Sequence, residues 1–472
     1  MLARANGLVY NGGMIRHAIL TIALAAGCLS AAPSASSSVA KTAREAETAM
    51  LQELQKLVKT GSEDFCLPAR AYLDKHGSCA GYFEAMQKAA KNGNAAAQTW
   101  SAMYQLLYVQ SGTPEYANVL KLVAAAAENK YAPALILSAG LHAQSNPSLS
   151  QTHLRAACAL GNPKARTLYL MQTGRLSAGN VTLPEVASEL KKNNYHLEEA
   201  LASIQTVEAK AIEWMHKAEA HGSASAPFLL SQTLVKGEDE QHRLAHMKLA
   251  AERGNLIAMH YYGALLCRAN THPLAIQLGI KHDFALGSHY MQLAAMQGMP
   301  EASAELALMY AQGQLDSVPV ELVYRLFEHA HRCGIAEGTA GVGYCKVLGA
   351  GCPIDAEGGI SLLLQARDKG ALWVNHALAS VYFNGTAGVQ KNLRKAIDFL
   401  TEDAAVSSAS AYAIMAAITA LGNETTPPDL STAEYYLDMA KAATPNAQQI
   451  YDAIILTKSW ICMPELVKAV QK

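Results

Sequence analysis

The chain has 472 residues and a formal net charge of −1. It therefore lacks the excess of positive charge through which many proteins attract nucleic acid or anionic membranes. Half of the residues are apolar (51%), alanine-rich stretches recur, and tyrosine outnumbers the other aromatic residues. This composition favours closely packed helices over strands. Beyond the N-terminus, no stretch approaches the roughly 20 apolar residues of a membrane-spanning helix. We therefore expect an all-α protein with no nucleic-acid partner.

The N-terminus carries the pattern of a secretory signal. Residues 14–28 read MIRHAILTIALAAGC, in which Arg16 precedes a short apolar core that ends in small residues. A positive charge, an apolar core and a small-residue cleavage site are typical of signal peptides rather than of folded structure. We assign residues 1–27 to the signal peptide. Met14 fits the start of a signal peptide better than Met1, because residues 1–13 add nothing that a signal needs.

The tetrapeptide Ala25-Ala26-Gly27-Cys28 resembles a bacterial lipobox. The resemblance implies cleavage before Cys28, lipidation of its thiol and a membrane anchor, with residues 28–40 as a flexible tether. Ordinary cleavage near Ser30-Ala31-Ala32 is the alternative. Either way we expect export to the bacterial periplasm or cell envelope. Leu29 differs from the Asp of an inner-membrane retention signal, which favours the outer membrane.

Residues 41–84 should form an N-terminal capping helix and a connecting segment. An apolar stripe at helical spacing runs from Ala43 to Leu57. The connecting segment holds Cys66 and Cys79, and export permits disulfides. We expect these two cysteines to pair, because closing the short loop between them would stabilise the fold by about 3 kcal/mol.

The rest of the chain repeats a hairpin of a first and a second helix, with a period of about 36 residues that indicates a helical solenoid. The marker at the end of each second helix is Ala, then Gly four residues on, then Ala four residues further. Its clear copies are Ala89–Gly93–Ala97, Ala157–Gly161–Ala165, Ala218–Gly222–Ala226, Ala250–Gly254–Ala258 and Ala294–Gly298–Ala302. Weaker copies centre on positions 130, 334, 370, 407 and 443.

Each position of the marker has a physical reason. The two alanines let neighbouring helices approach closely, and the glycine fits the left-handed cap that ends a helix. A bulky residue stands eight positions before the glycine in most later copies, as Trp214 does before Gly222. Large and small positions should interdigitate between the hairpins.

The best copy spans 377–407 and carries Tyr382, Gly385, Gly388 and Ala396 at the turn and on the second helix. It resembles the Sel-like repeat (SLR), a relative of the tetratricopeptide repeat. The resemblance implies a right-handed α/α superhelix of about ten hairpins over residues 85–447, and 448–472 should supply C-terminal capping helices. The stretch near 175–200 interrupts the spacing, as a loop plus one helix or as a decayed repeat.

No stretch of the chain forms a recognisable active site. His242 and His246 lie one helical turn apart, but a zinc site needs further ligands and the sequence nominates none. The remaining cysteines form no Cys-x-x-Cys motif. We expect no enzyme activity, metal, cofactor or small-molecule substrate.

The SLR resemblance implies a protein-binding role, so we predict a non-enzymatic interaction scaffold of the cell envelope with an unidentified protein partner. The first helices between 299 and 411 should line one uninterrupted binding face. Tyr310, which precedes Gly313, and Tyr382, which precedes Gly385, are interpreted as packing residues on that face. A peptidoglycan- or glycan-associated binder is the alternative.

Overall fold

The structure is a computed structural model that describes residues 36–179, 181–233, 240–406, 409–424, 426–458 and 460–470. Every regular element in these ranges is helical, which confirms the all-α prediction. The predicted signal peptide, Cys28 and most of the tether lie outside the described residues. Among the helices that are described, none combines the length and the apolar character needed to cross a bilayer.

The chain divides into two compact units, one within Ser34–Met299 and the other within Pro300–Lys472. The helices of unit one are α1 (Ser36–Thr60), α2 (Cys66–His76), α3 (Tyr82–Lys91), α4 (Ala95–Leu106), α5 (Pro114–Glu128), α6 (Ala132–Leu141), α7 (Pro147–Ala159), α8 (Pro163–Gln172), α9 (Pro184–Leu190), α10 (Tyr195–Ile204), α11 (Glu208–Ala220), α12 (Ser225–Gln232), α13 (Glu240–Glu252), α14 (Leu256–Cys267), α15 (Pro273–Gln277) and α16 (Phe284–Met296).

The helices of unit two are α17 (Pro300–Ala311), α18 (Val320–Arg332), α19 (Ala336–Leu348), α20 (Ala356–Asp368), α21 (Val374–Asn384), α22 (Leu393–Val406), α23 (Ala409–Leu421), α24 (Leu430–Ala443), α25 (Ala447–Thr457) and α26 (Pro464–Val470). First and second helices alternate from α4–α5 to α23–α24, which gives ten helix pairs in the described residues, and in nine of these pairs the two helices pack extensively against each other. The first helices are α4, α6, α8, α10, α12 and α14 in unit one, and α17, α19, α21 and α23 in unit two.

Eight of the ten marker positions lie between a second helix and the next first helix, with φ between 55° and 101°. Seven of these residues are glycines, and the eighth is Lys130. A left-handed residue at this point ends the helix and turns the chain into its neighbour. The flanking Ala218 and Ala294 are fully buried. Position 407 lies outside the described residues.

The last marker is displaced by one residue from the predicted register. Ala440 is fully buried, whereas Met439, assigned to that column, is 39% exposed. The joint that follows has no left-handed glycine, because Thr444 at the end of α24 is extended (φ −148°, ψ 136°).

The stretch near 175–200 contains the second helix of one pair and the start of the first helix of the next. The short α9 and the following α10 lie there, and α10 packs against both α8 and α11. Leu170 of α8, Val186 of α9, and Leu197 and Leu201 of α10 form a buried apolar cluster. Of the two alternatives predicted for this stretch, the decayed repeat describes the helices.

The residues singled out in the best copies lie in the packed part of the hairpins. Tyr310 is buried, and Tyr382 stacks on Phe399 of α22 with ring centroids 6.0 Å apart. Gly313, Gly385 and Gly388 adopt left-handed backbone conformations at the turns, and Ala396 is fully buried. Trp214 is half-buried, with the Lys217 ammonium 4.2 Å above its ring.

Candidate peptide-binding surfaces

The first helices α17, α19 and α21 of unit two pack side by side and form the face predicted for partner binding. This face is not uninterrupted. Residues 460–470, here called the C-terminal segment, fold back across it, and α26 contacts both α17 and α19. Within residues 448–472, where C-terminal capping helices were predicted, α25 packs on the last hairpin as a cap, while α26 lies on the face. The expected open face is therefore covered by the chain itself.

The C-terminal segment is held through large apolar side chains. Trp460, Met463 and Leu466 are 4%, 0% and 1% exposed. Full burial of a side chain of this size contributes about 1.5–3 kcal/mol. The spacing of three residues places the anchors in succession along the segment, so the face offers a row of apolar sites rather than a single pocket.

Two side chains of α21 bind the main chain of this segment. Asn384 Nδ2 donates a hydrogen bond to the Trp460 carbonyl oxygen at 2.6 Å, and Ser380 Oγ donates to the same oxygen at 3.1 Å. Ser380 and Asn384 are four residues apart, so they lie on one side of the helix. Because the acceptor is a backbone carbonyl, this contact does not depend on the side chain of the bound residue.

The Trp460 ring contacts a histidine that is oriented by a partly buried carboxylate. The ring centroids of His376 and Trp460 are 5.8 Å apart in an edge-on arrangement. Asp403 of α22 accepts from His376 Nδ1 at 2.6 Å and from Asn375 Nδ2 at 2.9 Å. A carboxylate shared by two donors fixes the imidazole plane, so the tryptophan meets a preformed surface.

Two titratable groups at this face, Cys462 of the segment and Tyr344 of α19, are held in their neutral forms. Burial raises the pKa of the Cys462 thiol to about 12, and it also raises the pKa of the fully buried Tyr344. A thiol with such a pKa stays protonated at neutral pH and is a poor nucleophile. The chemistry of this face is packing and hydrogen bonding.

Unit one carries a comparable crossing segment from the other end of the chain. In residues 61–79, here called the N-terminal segment, the Ser62 carbonyl accepts a hydrogen bond from the Tyr131 hydroxyl at the start of α6. Asn162, at the start of α8, donates from Nδ2 to the Gly61 carbonyl at 3.4 Å. Lys164 Nζ lies 2.8 Å from Glu63 Oε1.

The same segment continues to the last hairpins of unit one. Arg70 Nη2 donates to the Glu252 carbonyl at 3.4 Å, and the Cys79 amide donates to Gln292 Oε1 at 3.0 Å. The ideal Cβ of Gly254 would lie 3.3 Å from Cys66 Cβ, so the start of α2 contacts the marker turn before α14. The segment predicted to connect the capping helix to the first repeat thus contacts several repeats.

The predicted disulfide between Cys66 and Cys79 is not present in the structure. Neither sulfur is in a disulfide. Cys66 is the first residue of α2 and Cys79 follows its last residue, so the helix of 11 residues separates them. That length corresponds to about 16 Å, whereas bonded cysteines have Cα atoms about 4.4–6.8 Å apart. Burial raises the pKa of Cys66 to about 11.

Sequence reasoning missed the residues that hold the C-terminal segment. Ser380 and Asn384 lie inside the best-matching copy, where they read as an ordinary helix surface and a turn residue. Their acceptor lies 80 and 76 residues away, in a stretch without a repeat pattern. The sequence did contain one indication of this segment, because the large apolar residues Trp460, Met463 and Leu466 follow the last hairpin at a spacing of three.

No family model and no curated protein matches the chain. Among solved structures, the chain is similar to a Sel1 repeat protein from Oxalobacter formigenes, at 18% identity over 75% of this chain and 96% of that one, with a TM-score of 0.34. It is also similar to a protective antigen of uropathogenic Escherichia coli that displays an SLR fold, at 16% identity over 89% of this chain and 97% of that one, with a TM-score of 0.35.

Proposed function

We propose that the protein is a non-catalytic protein-interaction scaffold whose second unit binds a peptide segment of its partner. The binding face is formed by α17, α19 and α21, and the C-terminal segment occupies it when no partner is bound. A partner therefore binds by displacing this segment. The proposal places the interaction on the face of the first helices, where solenoids commonly bind.

The observation that carries the proposal is the pair of hydrogen bonds from Ser380 and Asn384 to the Trp460 carbonyl. The side chains of a repeat helix here bind main chain, which every peptide offers. Beside them, the apolar sites of Trp460, Met463 and Leu466 give selectivity for side-chain size. Main-chain hydrogen bonds combined with side-chain pockets are the usual basis of peptide recognition.

The same contacts define the chemistry of the partner. It presents a short peptide with a large aromatic residue followed by apolar residues three and six positions later, the spacing of the resident anchors. Ser380 and Asn384 are uncharged, so the affinity should depend little on ionic strength. We further propose that lipidation of Cys28 keeps the scaffold at the cell envelope, where this partner resides.

Peptide exchange tests the proposal. A labelled peptide of residues 460–470 is titrated by fluorescence anisotropy into the full-length protein and into the variant Trp460→Ala, whose own segment is loosened. We expect the variant to bind the peptide and the wild type to bind it far more weakly, because in the wild type the face is occupied. Adding Asn384→Ala to the variant should weaken peptide binding at least about fivefold, the effect of about 1 kcal/mol.

The matched control is Leu456→Ala, since this side chain is 85% exposed and precedes the segment. This variant should bind the peptide as weakly as the wild type does. Circular dichroism and melting curves establish that each variant is folded. A folded Trp460→Ala protein that does not bind the peptide would show that the face closes without its segment and accepts no peptide in trans.

A further inference from the structure

A second cluster of side chains in unit one has no role in peptide binding. It joins α11 to α13, two second helices of successive hairpins. The sequence singled out His242 and His246 of α13 and found no further ligand for them. The structure supplies two from the other helix, His216 and Glu219, which lie one turn apart near the end of α11.

The Glu219 carboxylate lies between the two imidazoles. Its Oε1 is 2.6 Å from His246 Nδ1, and its Oε2 is 3.7 Å from His216 Nδ1. The imidazole centroids are 5.9 Å apart. One possible ligand atom from each of the three residues lies within 4.8 Å of the other two, and within the described residues no other trio of His, Cys, Asp or Glu has this geometry.

The two helices are tied together beside the cluster. Arg253, just after the end of α13, donates from Nη1 to the Glu219 carbonyl at 2.7 Å and to the Ser223 carbonyl at 2.9 Å. This contact fixes the last turn of α11, which carries His216 and Glu219, against the end of α13. The ligand backbones are thereby held in place independently of the imidazole–carboxylate contacts.

We infer that His216, Glu219 and His246 form a binding site for a divalent transition-metal ion of the zinc class. Two imidazole nitrogens and one carboxylate oxygen are a donor set that suits zinc and its neighbours better than calcium or magnesium. Ligand distances of about 2.0–2.2 Å around the ion require the His246 nitrogen to separate slightly from the carboxylate and the His216 nitrogen to approach it, which side-chain rotation provides. An ion bound to His246 Nδ1 takes the place of the proton on that nitrogen, and the neutral imidazole then carries its proton on Nε2.

The exposure of the three side chains indicates an open site. Glu219 and His246 are 16% and 14% exposed, whereas His216 is 40% exposed. The ion would thus be held from the protein side and would keep at least one coordination position open to solvent. Water or a donor atom from a bound molecule can fill that position. Metal binding at this site would also crosslink two hairpins of unit one.

Zinc uptake by the full-length protein tests the site. Equilibrium dialysis should give one bound zinc ion per chain for the wild type. His216→Ala, Glu219→Gln and His246→Ala should each lower the affinity at least about tenfold, because loss even of a group that only orients a ligand costs 10- to 100-fold. Zinc should raise the melting temperature of the wild type and leave that of His216→Ala unchanged.

His242→Ala is the matched control, because His242 is one turn away on the same helix and outside the trio; it should keep the wild-type affinity. His216→Ala removes a partly exposed side chain and is expected to stay folded, which circular dichroism verifies. Cobalt binding separates this site from the cysteines, since nitrogen and oxygen ligands give no thiolate charge-transfer band. Three results overturn the inference: no zinc uptake, wild-type affinity in both His216→Ala and His246→Ala, or a thiolate band in the cobalt protein.

Discussion

Lys130 adopts the left-handed conformation that glycine provides at the comparable turns. Its φ is 55°, and at Gly161, the next marker along the chain, φ is 82°. This conformation costs a residue with a side chain about 1–2 kcal/mol relative to glycine. Glycine avoids that cost but also increases the conformational entropy of the unfolded chain, which offsets part of the gain in stability. The sequence predicted this turn without a glycine, because the flanking alanines kept the register.

Lys130→Gly should therefore raise the free energy of unfolding of unit one by up to about 1 kcal/mol. The reverse change, Gly161→Lys, should lower it by a comparable amount, since an added Cβ at Gly161 meets no atom within 4 Å and only the backbone is strained. Urea unfolding followed by circular dichroism measures both. Equal stability of the two variants and the wild type would mean that the turn conformation is not strained in solution.

His329 of α18 should make the stability of unit two depend on pH. Burial, and secondarily the Arg332 charge, lower the pKa of His329 from 6.5 to about 4. Its Nδ1 lies 3.1 Å from Ser303 Oγ. The unfolded chain binds a proton below pH 6.5 that the folded chain does not accept until about pH 4, so the free energy of unfolding falls as the pH falls through this window.

The variant His329→Gln, which keeps a hydrogen-bonding side chain, should lose this part of the pH dependence. Between pH 7 and pH 4, the free energy of unfolding of the wild type should fall by up to about 3 kcal/mol more than that of the variant. Urea unfolding at several pH values in this window measures it. Parallel pH profiles for the two proteins would show that His329 titrates normally in the fold.

At the scale of a helix, small residues decide how closely the hairpins pack. Gly263 and Gly287 face each other in the hairpin α14–α16: a Cβ on Gly263 would lie 2.9 Å from the Gly287 carbonyl oxygen. Gly343 and Gly359 do the same in α19–α20, at 2.8 Å. Both pairs stand at equal distances from their marker turns, nine residues after one and eleven before the next. Neither glycine column was predicted from the sequence.

The alanine columns give the corresponding stability test on α16. Ala294 is fully buried and Ala285, on the same helix, is exposed. Ala294→Leu should lower the free energy of unfolding by about 1–3 kcal/mol, because the added atoms overpack the helix contact. Ala285→Leu adds the same atoms to the surface and should leave the melting temperature close to that of the wild type. An unchanged melting temperature for Ala294→Leu would mean that the column is misaligned.

Local signals explain why the hairpins could be predicted and the crossing segments could not. A left-handed turn such as Gly222 and the small residues beside it act within one repeat, so their spacing gave the helix boundaries. The contact between Arg70 and Glu252 joins residues 182 positions apart, and the trio around Glu219 draws ligands from two hairpins. Neither arrangement repeats along the sequence, and each depends on which hairpins become neighbours in the fold, so neither could be predicted from the repeat spacing.

At the scale of the whole molecule, the lipobox-like tetrapeptide leads to a prediction about location. Cys28→Ser should move the protein from the membrane fraction to the soluble fraction and abolish fatty-acid labelling, because the thiol is the proposed attachment point. Cell fractionation and metabolic labelling measure the two effects. Substitution of Ser30 by Ala provides the control and should change neither. Wild-type protein without label would favour cleavage nearer residues 30–32.

The two crossing segments change how such a chain can assemble. Stacked repeats normally contact only their neighbours, so they fold in any order and fray from their ends. Here the Trp460 carbonyl binds Ser380, 80 residues earlier, and unit two cannot fray from its C-terminal hairpin without breaking contacts in its middle. In unit one, Arg70 leaves the ribosome roughly 10 to 40 seconds before Glu252 at ordinary synthesis rates. The nascent N-terminal segment can contact Tyr131 and Asn162 early, whereas its contacts with Glu252 and Gln292 must wait until most of unit one exists, so the segment completes its docking late.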